Sequence, residues 1–491
     1  MNTLLKYFLS ISLPMIFHFS ATHAQSFNYG EVLQKSLYFY ECQRSGLLPN
    51  NNRVVWRGNS GLTDGMDNGV DLTGGWYDGG DHVKFGFPMA NTATKLAWSA
   101  IESEKEYKSV GQWKILLENL RWVNDYFLKC HIKNNDGSTA KFFGQVGSGK
   151  VDHMWWGPAE SMTMKRPSYF VDSAHPGSDL TAETSAALSA ASIVFKNVDP
   201  TYSARLLNDA IALYAFAETY NAKYSASIPD VKNFYESISG YQDELVWGAI
   251  WLYKATGDNL YLQKAINAYQ QLPNQAGKAV KAYAGADNWD NKAFACYVLM
   301  ATITSDQDYR NDAERHLDYW TQGYLGDRVT YSPGGQAFIA NWGSLRYVAN
   351  TSFLALVYGR YLEDKDSPRS KLYTAFAVNQ VNYMLGENPQ QRSFVVGFGK
   401  NPPINPHHRN AHGSSPGNLN LPKNNKNIIY GALVGGPSKP NDEYVDSRFN
   451  YMENEITCDY NAGFTGAIAV LVNIYGGTSL DGFPPRKKHT K

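Results

Sequence analysis

The chain has 491 residues, 43% hydrophobic and 18% charged, and its 45 basic side chains balance 45 acidic ones. That composition belongs to a folded globular protein, and zero net charge removes the basic footprint a nucleic-acid binder needs and argues against an anionic substrate. The 33 Tyr, 23 Phe and 12 Trp exceed ordinary core needs and suit flat, neutral ligands that stack on rings, although aromatics are first of all core material.

In chain order, the first segment reads as an export signal. Lys6 supplies positive charge, Tyr7 to Ser20 form an apolar run, and small residues end it near Ala24. Residues 1–24 are therefore expected to be removed, leaving a secreted chain from residue 25. The run is short for a membrane span of roughly 20 residues, and no membrane partner is expected. Apolar residues then recur with helical period. They predict twelve helices, over 27–46, 90–105, 110–132, 179–196, 199–222, 241–256, 258–272, 290–304, 308–322, 346–361, 369–387 and 459–475, and strand-like alternation is rare.

The connections are lopsided. Those leaving even-numbered helices are short, and those leaving odd-numbered helices are long: 47–89, 133–178, 223–240, 273–289, 323–345 and 388–458. Short connections make antiparallel hairpins, so all the long loops would emerge at one end, where function is expected. Six such pairs can close into an all-α ring, an (α/α)6 barrel with one helix of each pair inside. The Ala- and Ser-rich stretch Asp179 to Phe195 has the character of an inner helix packed on both sides. An open solenoid is the competing architecture, but self-similar repeats are missing. No Pro/Ser/Thr-rich linker divides 25–491, which is read as one domain, monomeric and without a separate appended module. Cys42, Cys130, Cys296 and Cys458 lie far apart without a CxxC pair, which argues against zinc and leaves one or two disulfides open.

Two long loops carry carboxylates in suggestive places. The first holds Gly74-Gly75-Trp76-Tyr77-Asp78-Gly79-Gly80-Asp81-His82. Two acids three residues apart in pliable backbone can converge on one water, although a turn or a calcium loop uses the same residues. The last loop ends Tyr444-Val445-Asp446-Ser447-Arg448-Phe449-Asn450-Tyr451-Met452-Glu453-Asn454-Glu455, just before a helix opening Asp459-Tyr460-Asn461-Ala462. Acids there are favourable partners for a helix N-terminus, which accounts for Asp459 better than for two glutamates. Cleaving a glycosidic bond requires one carboxylic acid to protonate the leaving oxygen and a carboxylate across the bond, and these loops could supply one each.

The stretch Tyr444 to Ala462 resembles the acidic signature of glycoside hydrolase family 9, and Ser393 to Arg409, ending Pro406-His407-His408-Arg409, resembles its histidine signature. The resemblance implies an (α/α)6 barrel and an endo-β-1,4-glucanase that inverts configuration. It makes Asp81 the general base, Asp78 its companion on the attacking water, and Glu455 the general acid. It makes His407 and Arg409 a pair beside the scissile bond, and Tyr460 a cleft residue. His153 and Trp156 in Asp152-His153-Met154-Trp155-Trp156, with Tyr235 and Trp342, become sugar contacts. Ser239, Gly240, Asp243, Glu244 and Asp290 resemble a structural calcium site, although Asp243 and Glu244 at a helix start also suit a plain cap. No cofactor is needed for the chemistry itself, and the implied partner is a β-1,4-glucan. Taken without the resemblance, His407-His408-Arg409 fits a polar turn, and Trp156 and Trp342 fit core packing.

Two departures stand out: Gly79 replaces the alanine usual in the family, predicting a slightly looser loop, and Ile238 stands where some members carry a stacking tryptophan. Two other readings compete, a non-catalytic glucan-binding protein and a metal-dependent hydrolase built on His407 and His408.

Overall fold

The computed structural model describes residues 27–485; the expected export signal lies outside the described residues. Twelve long helices dominate it: α1 (Tyr29–Cys42), α2 (Gly86–Glu102), α3 (Trp113–Cys130), α4 (Ser178–Phe195), α5 (Pro200–Thr219), α6 (Gln242–Thr256), α7 (Asn259–Tyr269), α8 (Ala293–Thr304), α9 (Gln307–Trp320), α10 (Ser344–Leu362), α11 (Ser367–Leu385) and α12 (Cys458–Tyr475). Each coincides with a helix expected from the periodicity. Their ends follow capping chemistry: Asp199, Asp258, Asp306, Asp366 and Thr457 each accept a backbone N–H of the first turn that follows.

Packing closes the ring. Helices α2, α4, α6, α8, α10 and α12 contact one another in that order and return to α2, while α3, α5, α7, α9, α11 and α1 pack outside them. This is an (α/α)6 barrel. Burial separates the two rings for the reason the sequence suggested. In α4 only Ile193 escapes full burial, whereas α9 buries one face, including Ala313, Leu317 and Trp320, and leaves the other wet. Small residues set the spacing of the inner ring: a Cβ on Gly466 of α12 would stand 2.9 Å from the Phe353 ring of α10. Among the described residues no helix is long and apolar enough to cross a membrane. All four cysteines are buried free thiols, so the disulfides left open by their number do not form.

The periodicity missed an antiparallel sheet at the loop end, where β3 (Thr139–Val146) pairs with β1 (Lys84–Phe85), β2 (His131–Lys133) and β4 (Ser168–Asp172). Strand β1 is two residues long, too short for any alternation to show. The pairing matters for the site. The register Lys84↔Val146 sets the segment just before β1, which carries Asp81, beside the segment just after β3, which becomes the short helix Gly149–His153. Lys84 is pinned below by a buried ion pair with Asp64 at 2.7 Å, and Asp64 also takes Arg166 at 2.7 Å.

Candidate active site

The 78–81 loop is buried and held by its backbone. Asp78 N–H donates to the Val83 carbonyl at 3.0 Å, and Cys458 N–H, in the first turn of α12, donates to the Asp78 carbonyl at 2.8 Å. Gln43 at the end of α1 donates to the carbonyls of Tyr77 (3.2 Å) and Gly79 (2.7 Å). Its own amide oxygen accepts from His408 Nε2 at 2.8 Å, because His408 Nδ1 already accepts the Ala411 N–H. Both nitrogens of His408 are thus committed, and burial pushes its pKa down to about 3. The metal-hydrolase reading loses its second histidine on this ground.

Gly79 does not loosen the loop. A Cβ there would lie 2.7 Å from the Ile456 carbonyl oxygen and 2.9 Å from the Thr457 methyl, so glycine lets the loop lie flat on the segment that follows Glu455. Gly80 is tighter still, since its Cβ would fall on the His407 carbonyl. The two motifs far apart in sequence are therefore in backbone contact. Arg409 N–H donates to the Gly80 carbonyl at 3.2 Å, and His407 pairs in parallel with Glu455 through its N–H to the Asn454 carbonyl at 2.8 Å.

Asp78 and Asp81 lie next to each other in a dry setting. Burial, and then the charge of Asp81, push the Asp78 carboxyl well above the usual carboxylate range. The Tyr235 hydroxyl, donating to Asp78 Oδ2 at 2.5 Å, opposes that rise. Burial raises Asp81 to about 6 against the pull of His153. Asp81 Oδ1 accepts the Val83 N–H at 2.9 Å, and Oδ2 stands 3.8 Å from His153 Nε2. His153 is aimed by its other nitrogen, which donates to the Gly149 carbonyl at 2.7 Å, and by stacking on Phe234 at 4.7 Å.

The remaining expected residues fall into two groups. Tyr235 is 9% exposed, its ring wedged between Phe85 (4.9 Å) and Trp289 (4.8 Å), and its hydroxyl is spent on Asp78. Arg409 is 2% exposed, with its guanidinium on Asp152 Oδ1 at 3.0 Å and the Gly80 carbonyl. Trp156 is also buried, donating to His412 Nδ1 at 2.8 Å and edging His407 at 5.0 Å. These three frame the cleft. His407, Trp342 and Glu455 reach solvent. His407 Nδ1–H donates to the Arg448 carbonyl at 2.6 Å, leaving Nε2 without a proton, and burial holds its pKa below the ordinary histidine value. Trp342, 41% exposed, donates its indole N–H to Glu455 Oε2 at 2.8 Å, and the buried Tyr460 hydroxyl reaches the same oxygen at 3.4 Å. Ile238 is 77% exposed at the rim and offers no platform.

Sequence reasoning missed several supports. Asp152 holds both Arg409 and the His82 N–H (3.2 Å), and its place beside His153 was the one available signal. Gln43 had none. Asp459 does more than favour a helix end, because it forms a buried ion pair with Arg346 at 3.0 Å and accepts from Asn91 at 2.9 Å.

At the residues of the calcium expectation, two of the three carboxylates already accept backbone donors. Asp290 accepts the N–H groups of Ile238 (2.7 Å) and Ser239 (3.1 Å), and Asp243 accepts that of Lys292 at 2.7 Å. Both Glu244 oxygens are buried without a hydrogen bond, and Lys292, which faces Glu244 at 3.7 Å, is shared with Glu183 at 3.3 Å. Hard oxygens short of positive charge fit a calcium ion. Among the described residues no three His, Cys, Asp or Glu side chains converge into a cage, so Ser239, Gly240 and water would have to complete the shell.

Carboxylate-bearing loops brought together on an (α/α)6 barrel suit the cleavage of a glycosidic bond. The profile described as glycosyl hydrolase family 9 matches residues 29–468, and the chain belongs to that family. It is 54% identical over 464 residues to endoglucanase B of Cellulomonas fimi, covering 94% of this chain but only 44% of that protein. It is 48% identical to endoglucanase A of Bacillus pumilus, covering 94% of this chain and 69% of that one. Among solved structures, an endoglucanase of the termite Nasutitermes takasagoensis superposes with a TM-score of 0.82 at 45% identity, covering 91% and 99% of the two chains. Endoglucanase CelQ of Clostridium thermocellum, solved with cellobiose and cellotriose, gives 0.85 at 42% identity, covering 95% and 74%.

Proposed function

We propose that this barrel is a secreted, monomeric endo-1,4-β-glucanase that hydrolyses internal bonds of cellulose and related β-glucans with inversion. The observation that supports the reading is the backbone docking of the 78–81 loop, which carries Asp78 and Asp81, against the segments that carry His407 and Glu455. Glu455 gives its proton to the glycosidic oxygen. Asp81, ionised above about pH 6, takes a proton from the water attacking the opposite face of the anomeric carbon. Asp78, tethered by Tyr235, helps hold that water. His407 accepts a sugar hydroxyl through Nε2, His153 contributes beside Asp81, and Arg409 and Trp156 keep the wall in place. An inverting pair stands roughly 6.5 to 9.5 Å apart, leaving room for water.

Product analysis tests this. Anomeric NMR of cello-oligosaccharide hydrolysis should show the α-anomer first, and early β-anomer would overturn inversion. Glu455→Gln should abolish reducing-sugar release from soluble cellulose derivatives. Folded wild-type protein without activity would leave only the glucan-binding reading.

Ser239, Gly240, Asp243, Glu244 and Asp290 would hold a structural calcium ion. When bound, it would supply positive charge to Glu244, whose oxygens lack a hydrogen bond, and brace the 238–243 loop. Calorimetric titration with calcium should show binding and a rise in Tm, both lost in Glu244→Gln.

A further inference from the structure

Two donors meet on one oxygen of Glu455. The Trp342 indole N–H reaches Oε2 at 2.8 Å and the Tyr460 hydroxyl reaches it at 3.4 Å, while no donor among the described residues reaches Oε1. A protonated carboxyl has one O–H and one carbonyl oxygen, and only the carbonyl oxygen accepts two donors without setting hydrogen against hydrogen. The glutamate backbone is fixed on both sides, its N–H on the Tyr451 carbonyl at 2.9 Å and its carbonyl on the Gly435 N–H at 3.0 Å. Trp342 is fixed as well. Its ring leans on Tyr451 at 5.2 Å, and the next residue, Gly343, takes φ 62° and donates to the Met452 carbonyl at 3.1 Å. A Cβ at Gly343 would strike the Tyr460 hydroxyl, so the turn that delivers the indole also fits against the second donor.

We propose that Trp342 is a positioning residue for the acid step: its N–H reserves Oε2 as an acceptor and so places the transferable proton on Oε1 of Glu455. The inference rests on Glu455 being the general acid. In the step, the Oε1–H bond breaks and that hydrogen bonds to the glycosidic oxygen. The C1–O bond breaks with its electron pair going to that oxygen, and water supplies the new C1–O bond as Asp81 takes its proton. The charge left on Glu455 spreads over both oxygens, one of them still bonded to Trp342. A ring serving only as a sugar platform would have no need of its N–H.

Trp342→Phe keeps an aromatic ring and removes the donor. The test compares cellotetraose with 2,4-dinitrophenyl β-cellobioside, whose leaving group departs without protonation. Expected is a kcat on cellotetraose lower by roughly 10- to 100-fold, the loss of one hydrogen bond to a charged group, with KM nearly unchanged and the aryl substrate nearly unaffected. Trp342→His, which restores a ring N–H, should recover part of the loss. A raised KM with kcat kept, or equal losses on both substrates in a variant with wild-type Tm, would overturn the inference. Glu455→Gln serves as the control. It must lose cellotetraose and keep the aryl substrate; if it does not, the acid assignment itself falls, whereas a passing control beside a failing Trp342→Phe sinks only the positioning role.

Discussion

On one side of the cleft, Asp78 and Asp81 are buried, and their loop is held by Val83, Gln43, Arg409 and Cys458. On the other, Glu455 is half-buried at the rim, and its carboxyl is held by the side chains of Trp342 and Tyr460. The base side is part of the barrel's interior packing, and the acid side is an attachment to it. The base side therefore carries a stability cost, because burial disfavours the ionised carboxylates of Asp78 and Asp81.

The largest blow to this contrast is Gly80→Ala. Its methyl group would collide with the His407 carbonyl, so both sides should separate, with activity lost and stability down by about 1–3 kcal/mol, read by thermal unfolding. Next comes Asp81→Asn, expected to lower kcat by about 10²–10⁴-fold while the fold survives. Tyr235→Phe should cost about tenfold in kcat through the lost hydrogen bond to Asp78, read by steady-state kinetics. In the wild type the acidic limb of the kcat/KM profile should fall as pH drops through about 6, where Asp81 takes up a proton.

The subtlest effect is thermodynamic. Asp81 titrates near 6 in the fold but at about 3.9 when unfolded, so the folded state binds the proton more tightly and stability falls as pH rises between those values. Asp81→Asn should therefore raise Tm at pH 7 and change it much less at pH 4. An equal shift at both would show that the carboxyl's charge is not what strains the base side.

Periodicity made the helices legible because each one buries either a stripe or a whole surface, and both leave their mark at spacings of three and four. The sheet stayed hidden because β1 has two residues and draws its register from β3 about sixty positions away. The carboxylates were legible because acids in glycine-rich or helix-flanking loops are conspicuous. Gln43 was not, since an amide at the end of an outer helix looks like any surface residue until its partners Tyr77, Gly79 and His408 fold over it.

The ring of twelve helices and the division into short and long connections follow from the sequence, because helical period and loop length are local properties; the roles given to Asp78, Asp81 and Glu455 come from the family resemblance. Which aromatic faces the groove and which braces it was decided by tertiary structure alone. Tyr235 and Trp342 are both aromatics in long loops, yet one is sealed between Phe85 and Trp289 and the other stands open beside Glu455. Burial is set by what the rest of the chain lays over a side chain.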